Sequence, residues 1–273
     1  MTLSTLYIQP LDISYSVNPA LFASPVGWAM GVGATLLLYV VEKEWGERRL
    51  VRFLRSARMA TWLLGLTALY CVLGGSLPSW SRFYTTWPFI LLLTLLLAHL
   101  TLVVIHRLRR FSLQRDGAFV LTHGGLWLTL FSGMVGAGDM RELQAVVDTQ
   151  QETTFALDRK RARMVPLGYS LRLKEFVTEQ NEADGSPVQY AATVWVDGKL
   201  QRVAVNAPLA VSWDEDIYLL NFDRSPGSQV VTSCLLQVVR QPWKHVTLAG
   251  IALLMTGTLW MLTKRRRKEV GRC

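Results

Sequence analysis

The segment Phe83-Tyr-Thr-Thr-Trp-Pro-Phe-Ile-Leu-Leu-Leu-Thr-Leu-Leu-Leu-Ala-His-Leu-Thr-Leu-Val-Val-Ile105 runs for 23 residues without a formal charge. A helix needs about 20 predominantly apolar residues to span a bilayer, so this segment predicts a transmembrane helix. Four more uncharged runs share its character: Leu21–Val41, Met59–Ser81, Gly117–Gly138 and His245–Thr263. One such run fits a buried core helix, but five in a chain of 273 residues exceed what one globular core can hold. Residues 1–20 contain no Lys or Arg, so the first run lacks the basic flank of a cleavable signal peptide and is expected to stay as a helix.

The net charge of +9 is spread unevenly. Cations gather between the first two runs (Lys43, Arg48, Arg49, Arg52, Arg55, Arg58) and between the third and fourth (Arg107, Arg109, Arg110, Arg115). They gather again after the fifth run, in Lys264, Arg265, Arg266, Arg267, Lys268 and Arg272, whereas the loop after the second run holds only Arg82. Loops rich in Lys and Arg stay cytoplasmic, and all five crossings alternate without conflict if these three segments are inside. The expected location is the bacterial inner (plasma) membrane, with the N-terminus outside and the C-terminus cytoplasmic. The basic excess therefore reports topology within membrane lipid, and no nucleic acid partner is expected.

Residues 139–244 form a polar block between the fourth and fifth runs, on the outer side in this topology. Val188, Tyr190, Ala192, Val194 and Val196 alternate, Asp197-Gly198 is a hairpin turn signal, and Leu200, Val203 and Val205 follow. Ser170–Val177, Ile217–Phe222 and Gln229–Val239 read as further strands, and Glu182–Pro187 as a polar turn. The fold class is a multi-pass α-helical membrane protein, of about five transmembrane helices, with one mostly-β extracytoplasmic domain inserted before the last helix. That domain is expected as a sandwich or open barrel. The boundaries follow: a bundle over 1–138 with helices near 21–41, 59–79, 86–106 and 118–137, a β domain over 139–244, a fifth helix over 245–263, and a basic tail over 264–273.

Candidate chemistry is sparse. Cys71, Cys234 and Cys273 form no CxxC pair and no metal-ligand spacing, and Cys234 is read as buried and inert. The β block contains no His, which excludes Ser-His-Asp and Cys-His sets there, and Asp214-Glu215-Asp216 reads as a solvated turn. No catalytic residue is assigned. All four histidines (His99, His106, His123, His245) lie in or beside the apolar runs, where an ionisable side chain is a functional hypothesis. For His106 and His245, at helix ends, contact with lipid headgroups is explanation enough. His99 and His123 lie roughly 9–11 Å from the inner ends of consecutive helices, at about 1.5 Å rise per residue. Two imidazoles at matching depth suit axial ligation of one haem iron, or each binds a neighbouring helix instead. Gly124 and Gly125, directly after His123, permit close approach of a flat ligand or a helix. The aromatic residues Trp80, Phe83, Tyr84 and Trp87 fit an interfacial belt.

The order of several short motifs resembles the ResB-like cytochrome c biogenesis family. Arg52-Phe-Leu-Arg-Ser56 and Gly74-Gly-Ser-Leu-Pro78 are similar to its Arg-Phe-Leu-x-Ser and Gly-x-x-x-Pro, and His123-Gly124-Gly125 to its His-x-Gly. Val205–Leu209, Asn221-Phe222-Asp223 and Gln241-Pro242-Trp243 continue the likeness, while residues 1–45 add a helix before the usual four. The resemblance implies a haem-handling subunit that channels haem and presents it, with apocytochrome c, for covalent attachment. It also implies a CcsA-type partner on a separate polypeptide, since the tryptophan-rich motif of that half is missing here. Such a chain would be a non-catalytic or co-catalytic part of a cytochrome c synthase complex. His123 is the haem ligand the family pattern implies; His99 rests on depth alone. Two other readings stay open: a cofactor-free membrane-anchored binding or assembly module, and a b-type electron carrier.

Overall fold

The structure, a computed structural model, describes residues 16–77, 83–180, 187–224 and 231–270. Pro78, Trp80 and Arg82, most of the 182–187 turn and Cys273 lie outside the described residues. The chain divides into two compact units, Met140–Pro242 and the segments on either side of it.

The flanking segments are helical: α1 (Val26–Trp45), α2 (Arg49–Leu54), α3 (Ala57–Ser76), α4 (Trp87–Leu108), α5 (Leu113–Asp139) and α6 (Lys244–Val270). Five of these, α2 excepted, are long and apolar enough to cross a membrane. Their outward side chains are apolar as well, for example Leu37, Trp62, Val72 and Leu259, each more than 60% exposed. Such a surface suits lipid rather than water.

The helices do not stop where the uncharged runs stop. α1 begins five residues late, because Pro25 cannot donate a backbone hydrogen bond and a 3-10 turn at Pro19–Phe22 precedes it. It then runs on through Glu42 and Lys43. α5 begins early, at Leu113, since the buried Asp116 accepts from the Ser112 amide at 3.0 Å and pairs with Arg107 at 2.7 Å. α5 and α6 pack through small residues. A Cβ on Gly125 would meet the Leu254 amide nitrogen at 2.4 Å, and one on Gly257 the Thr122 nitrogen at 2.5 Å. Backbone contact this close is available only to glycine.

The Met140–Pro242 unit is one antiparallel sheet of eight strands. They are β1 (Arg141–Asp148), β2 (Thr153–Asp158), β3 (Arg163–Gln180), β4 (Pro187–Val196), β5 (Lys199–Ala204), β6 (Leu209–Ala210), β7 (Glu215–Arg224) and β8 (Val231–Arg240). The spatial order is β5-β4-β3-β2-β1-β8-β7-β6. One core, including Leu143, Val147, Leu171, Val194, Ile217 and Leu236, gathers side chains from seven of the strands, so the sheet curls around a single interior. A sandwich would need two sheets; the open-barrel alternative is the one that matches. Asp197 and Gly198 both take positive φ (46° and 72°) in the β4–β5 hairpin, as a tight two-residue turn requires.

Asp214-Glu215-Asp216 is no solvated turn. Glu215 and Asp216 open β7 and are buried. Glu215 accepts from the Tyr169 hydroxyl and from Arg240, whose guanidinium also donates to the Leu167 carbonyl at 2.9 Å. Burial, and then the bond to Glu215, push the Tyr169 hydroxyl above its ordinary range.

Cys234 is 2% exposed on β8, and burial pushes its thiol up to about 12. An unfolded thiol ionises near pH ~8.5, so the neutral thiol adds stability that is whole below that value and is lost as pH rises toward 12. At pH 8 a maleimide should leave Cys234 unmodified until denaturant is added; rapid labelling of the native protein would contradict the burial. Leu236→Ala, in the same core, should lower the stability of the sheet by about 2–5 kcal/mol, read from denaturant unfolding in detergent.

Candidate functional site

The family-like stretch Arg52–Ser56 acquires a physical meaning residue by residue. Ser56 caps α3 by accepting the Met59 amide at 3.2 Å. Arg55 donates to Glu42 Oε1 at 2.6 Å. The Leu54 carbonyl, at the end of α2, accepts from Nδ1 of His99 at 2.6 Å. Three consecutive residues thus serve three different partners on α3, α1 and α4.

Glu42 is fully buried. Besides Arg55, its Oε1 takes Nδ1 of His106 at 2.7 Å, and Arg109 reaches the Glu42 carbonyl at 3.2 Å. Among the described residues, Glu42 Oε2 is the one buried side-chain polar atom with no partner. His106 thus has protein partners besides any headgroup: Glu42 Oε1 and Arg55 Nη1, the latter 2.8 Å from the same Nδ1. The Gly46 position is held open for this carboxylate, since a Cβ there would lie 2.4 Å from the Glu42 carbonyl oxygen and 3.0 Å from Oε1. Neither Glu42 nor Arg55 stood out in the sequence, because each is one charge among many in a basic loop.

His99 is 7% exposed on α4. His123 is half-buried on α5, stacked on Phe119 with ring centroids 3.9 Å apart, and its Nδ1 lies 2.9 Å from the Phe119 carbonyl. Leu96 and Leu100, on either side of His99 on α4, share a cluster with Leu126 and Trp127, about one turn beyond His123 on α5. A Cβ on Gly124, the next residue after His123, would meet nothing within 4 Å.

A carbonyl oxygen can only accept, so Nδ1 must be the protonated nitrogen in both rings. The tautomer is assigned from these partners. In the neutral form each ring then keeps its lone pair on Nε2, the arrangement in which a histidine binds a metal while a second partner fixes its orientation. Two such imidazoles are the donor type that holds a haem iron. His245 is exposed at the start of α6 and plays no part in this arrangement.

The opposite ends of α1 and α5 meet at a second carboxylate. Asp139 accepts from the Ser24 amide at 3.0 Å, the Ser24 hydroxyl at 2.7 Å and Trp243 Nε1 at 2.7 Å. Trp243 is buried and packs on Trp28 with centroids 4.9 Å apart. Of the expected aromatic belt, Tyr84 and Trp87 are exposed, whereas Phe83 turns inward. A Cβ on Gly74 would strike its ring at 2.3 Å.

The profile of the ResB-like family matches residues 112–235. The chain carries a ResB-like region. The match covers α5 with His123 and the sheet as far as β8; α1 to α4, with Glu42, Arg55 and His99, precede it. Protein NrfI of Wolinella succinogenes is 30% identical over 111 residues, which is 40% of this chain and 12% of that protein. The chain thus spans about one-eighth of that relative's length. A solved structure titled Cytochrome c Heme Lyase CcmF overlays 87% of this chain on 40% of its own, at 15% identity and a TM-score of 0.42, a likeness too slight to carry an argument.

Removing one partner from a buried ion pair typically costs about 3–5 kcal/mol. Glu42→Ala should therefore lower the midpoint of thermal unfolding in detergent, and Arg55→Ala should do so in parallel. An unchanged midpoint in both variants would contradict the buried pairing.

Proposed function

We propose that the chain is a membrane subunit of cytochrome c biogenesis that holds haem between α4 and α5 on its way across the bilayer. The observation that carries this reading is the hydrogen-bond pattern common to His99 and His123, each with Nδ1 on a main-chain carbonyl, which in the neutral ring leaves Nε2 as the ligating atom. The ResB-like match over residues 112–235 supports the same reading. His123 serves as one axial ligand, and His99 as the other. The five long helices cross the bacterial inner membrane with the N-terminus outside, the basic segments at residues 42–58 and 106–116 inside, and the C-terminal tail in the cytoplasm. The unit over residues 139–244 lies outside, where it shields the haem or docks the apocytochrome.

In this reading a CcsA-type partner supplies the tryptophan-rich platform, and the thioether bonds form on the client's own cysteines. That division of labour agrees with a chain that offers no CxxC pair and acts as a non-catalytic or co-catalytic subunit. Only neutral imidazole ligates, so retention should weaken as pH falls and the histidines take up protons.

The test is the visible spectrum of the full chain purified in detergent, alone and with its partner, for wild type, His123→Ala and His99→Ala. The wild type should carry a Soret band that either substitution diminishes, together with reduced cytochrome c maturation in cells. A band and a maturation yield unchanged by His123→Ala would overturn the assignment. A haem-free wild type with its partner present would favour a cofactor-free assembly module.

A further inference from the structure

In a curled sheet with one filled interior, residues alternate between core and surface, and the surface set is ordinarily polar. β1, β2 and β3 depart from this. Leu143, Ala145, Val147, Ala156, Val165 and Leu167 fill the interior, as alternation requires. Their outward neighbours are Val146, Phe155, Leu157 and Met164, exposed by 62%, 50%, 39% and 60%. The register joins them into one patch, with Leu157 opposite Met164 on β3 and opposite Gln144 on β1, and Phe155 opposite Pro166.

The patch ends at a cationic hairpin. Arg159, Lys160, Arg161 and Arg163 are all exposed between β2 and β3. Two acids stand near them: Glu142, 3.5 Å from Lys160, and Asp158, 3.8 Å from Arg161. Arg141 adds a fifth cation, so positive charge predominates at the β1–β3 corner of this end; Glu215 and Asp216, at the same end on β7, lie on the far side of β8, where Glu215 is paired with Arg240. It is also the end where the chain enters, since only Met140 separates Asp139, the last residue of α5, from Arg141. The chain leaves at the same end, because Arg141 pairs with Arg240 on β8, four residues before α6 begins at Lys244.

We propose that the outward face of β1–β3 and the 159–163 hairpin seat on an anionic lipid surface. The inference rests on the reading that the long helices cross a membrane. If they do, the chain emerges from the bilayer at the cationic end of the sheet. Lys and Arg there meet lipid phosphates, while Leu157 and Met164 beside them supply the apolar contact that headgroup binding alone lacks. A protein client would equally bury the apolar residues, but the cations placed at the point of chain entry favour lipid. Because the charges are solvent-exposed, the contact should weaken with salt.

The experiment uses the full chain with Cys71→Ser and Cys273→Ser, keeping the buried Cys234, and an environment-sensitive fluorophore on Met164→Cys. The protein is reconstituted into phosphatidylcholine vesicles with and without phosphatidylglycerol. With anionic lipid the emission should shift to the blue and quenching by spin-labelled lipid should rise about twofold. High salt, or Arg159→Glu with Lys160→Glu and Arg161→Glu, should reverse both changes. A control fluorophore on Val188→Cys, exposed on β4, should report no change. Emission at position 164 that is indifferent to lipid charge, in protein that floats with the vesicles, would overturn the lipid contact alone. A shift that needs added partner protein would assign the face to that partner and overturn it too. Protein that fails to float with vesicles would overturn the membrane reading and this inference with it.

Discussion

A carboxylate with no solvent exposure has to be paired or neutralised, because burying an isolated charge costs far more than a fold can spare. Glu42 meets that demand with Arg55 and His106 on its Oε1 and Arg109 on its backbone carbonyl. Those partners come from the α2–α3 junction and from α4, so one side chain on α1 fixes three elements at once. The residue beside Arg55 is Leu54, whose carbonyl holds His99. The candidate ligand is thus held by a carbonyl that lies next in the chain to a buried ion pair, and not by a partner on its own helix.

α1 is the helix that the motif resemblance treats as an addition, and it lies outside the matched residues 112–235. Its anchoring is nonetheless polar at both ends. Glu42 secures one end, and Ser24, just before the other, meets Asp139 at the end of α5. Asp139 also holds Trp243 at the approach to α6. The middle of α1 presents apolar side chains outward, with Leu36 and Leu37 among the most exposed. Polar fastening at the ends with an apolar middle is what a helix among lipids requires: apolar contact gains little there, and a satisfied hydrogen bond or ion pair gains more.

Much of this was legible in the sequence, for physical reasons that differ from place to place. The uncharged runs announce the helices because the cost of charge in an apolar medium is local. The Asp197-Gly198 hairpin is legible because positive φ is a property of the turn residues themselves. Helix ends were misjudged where tertiary pairing tolerates charge: α1 runs past Glu42, and α5 begins before Asp116. His106 reads as a headgroup contact from its position alone, since its partner is 64 residues away in the chain. Glu215 and Asp216 look like a surface turn until Arg240 and Tyr169 are seen beside them. Matching depth brought His99 and His123 to attention, but their hydrogen bonds to carbonyls, which settle the tautomers, follow from packing that no spacing encodes.

The central claim is that His99 and His123 share one iron through Nε2. Low-temperature electron paramagnetic resonance of the ferric, haem-loaded full chain tests it most directly. The account predicts a low-spin spectrum of the kind two imidazole ligands give, converted to high spin by replacing either histidine with alanine. A high-spin wild type, or a low-spin signal that survives the loss of both histidines, would contradict it.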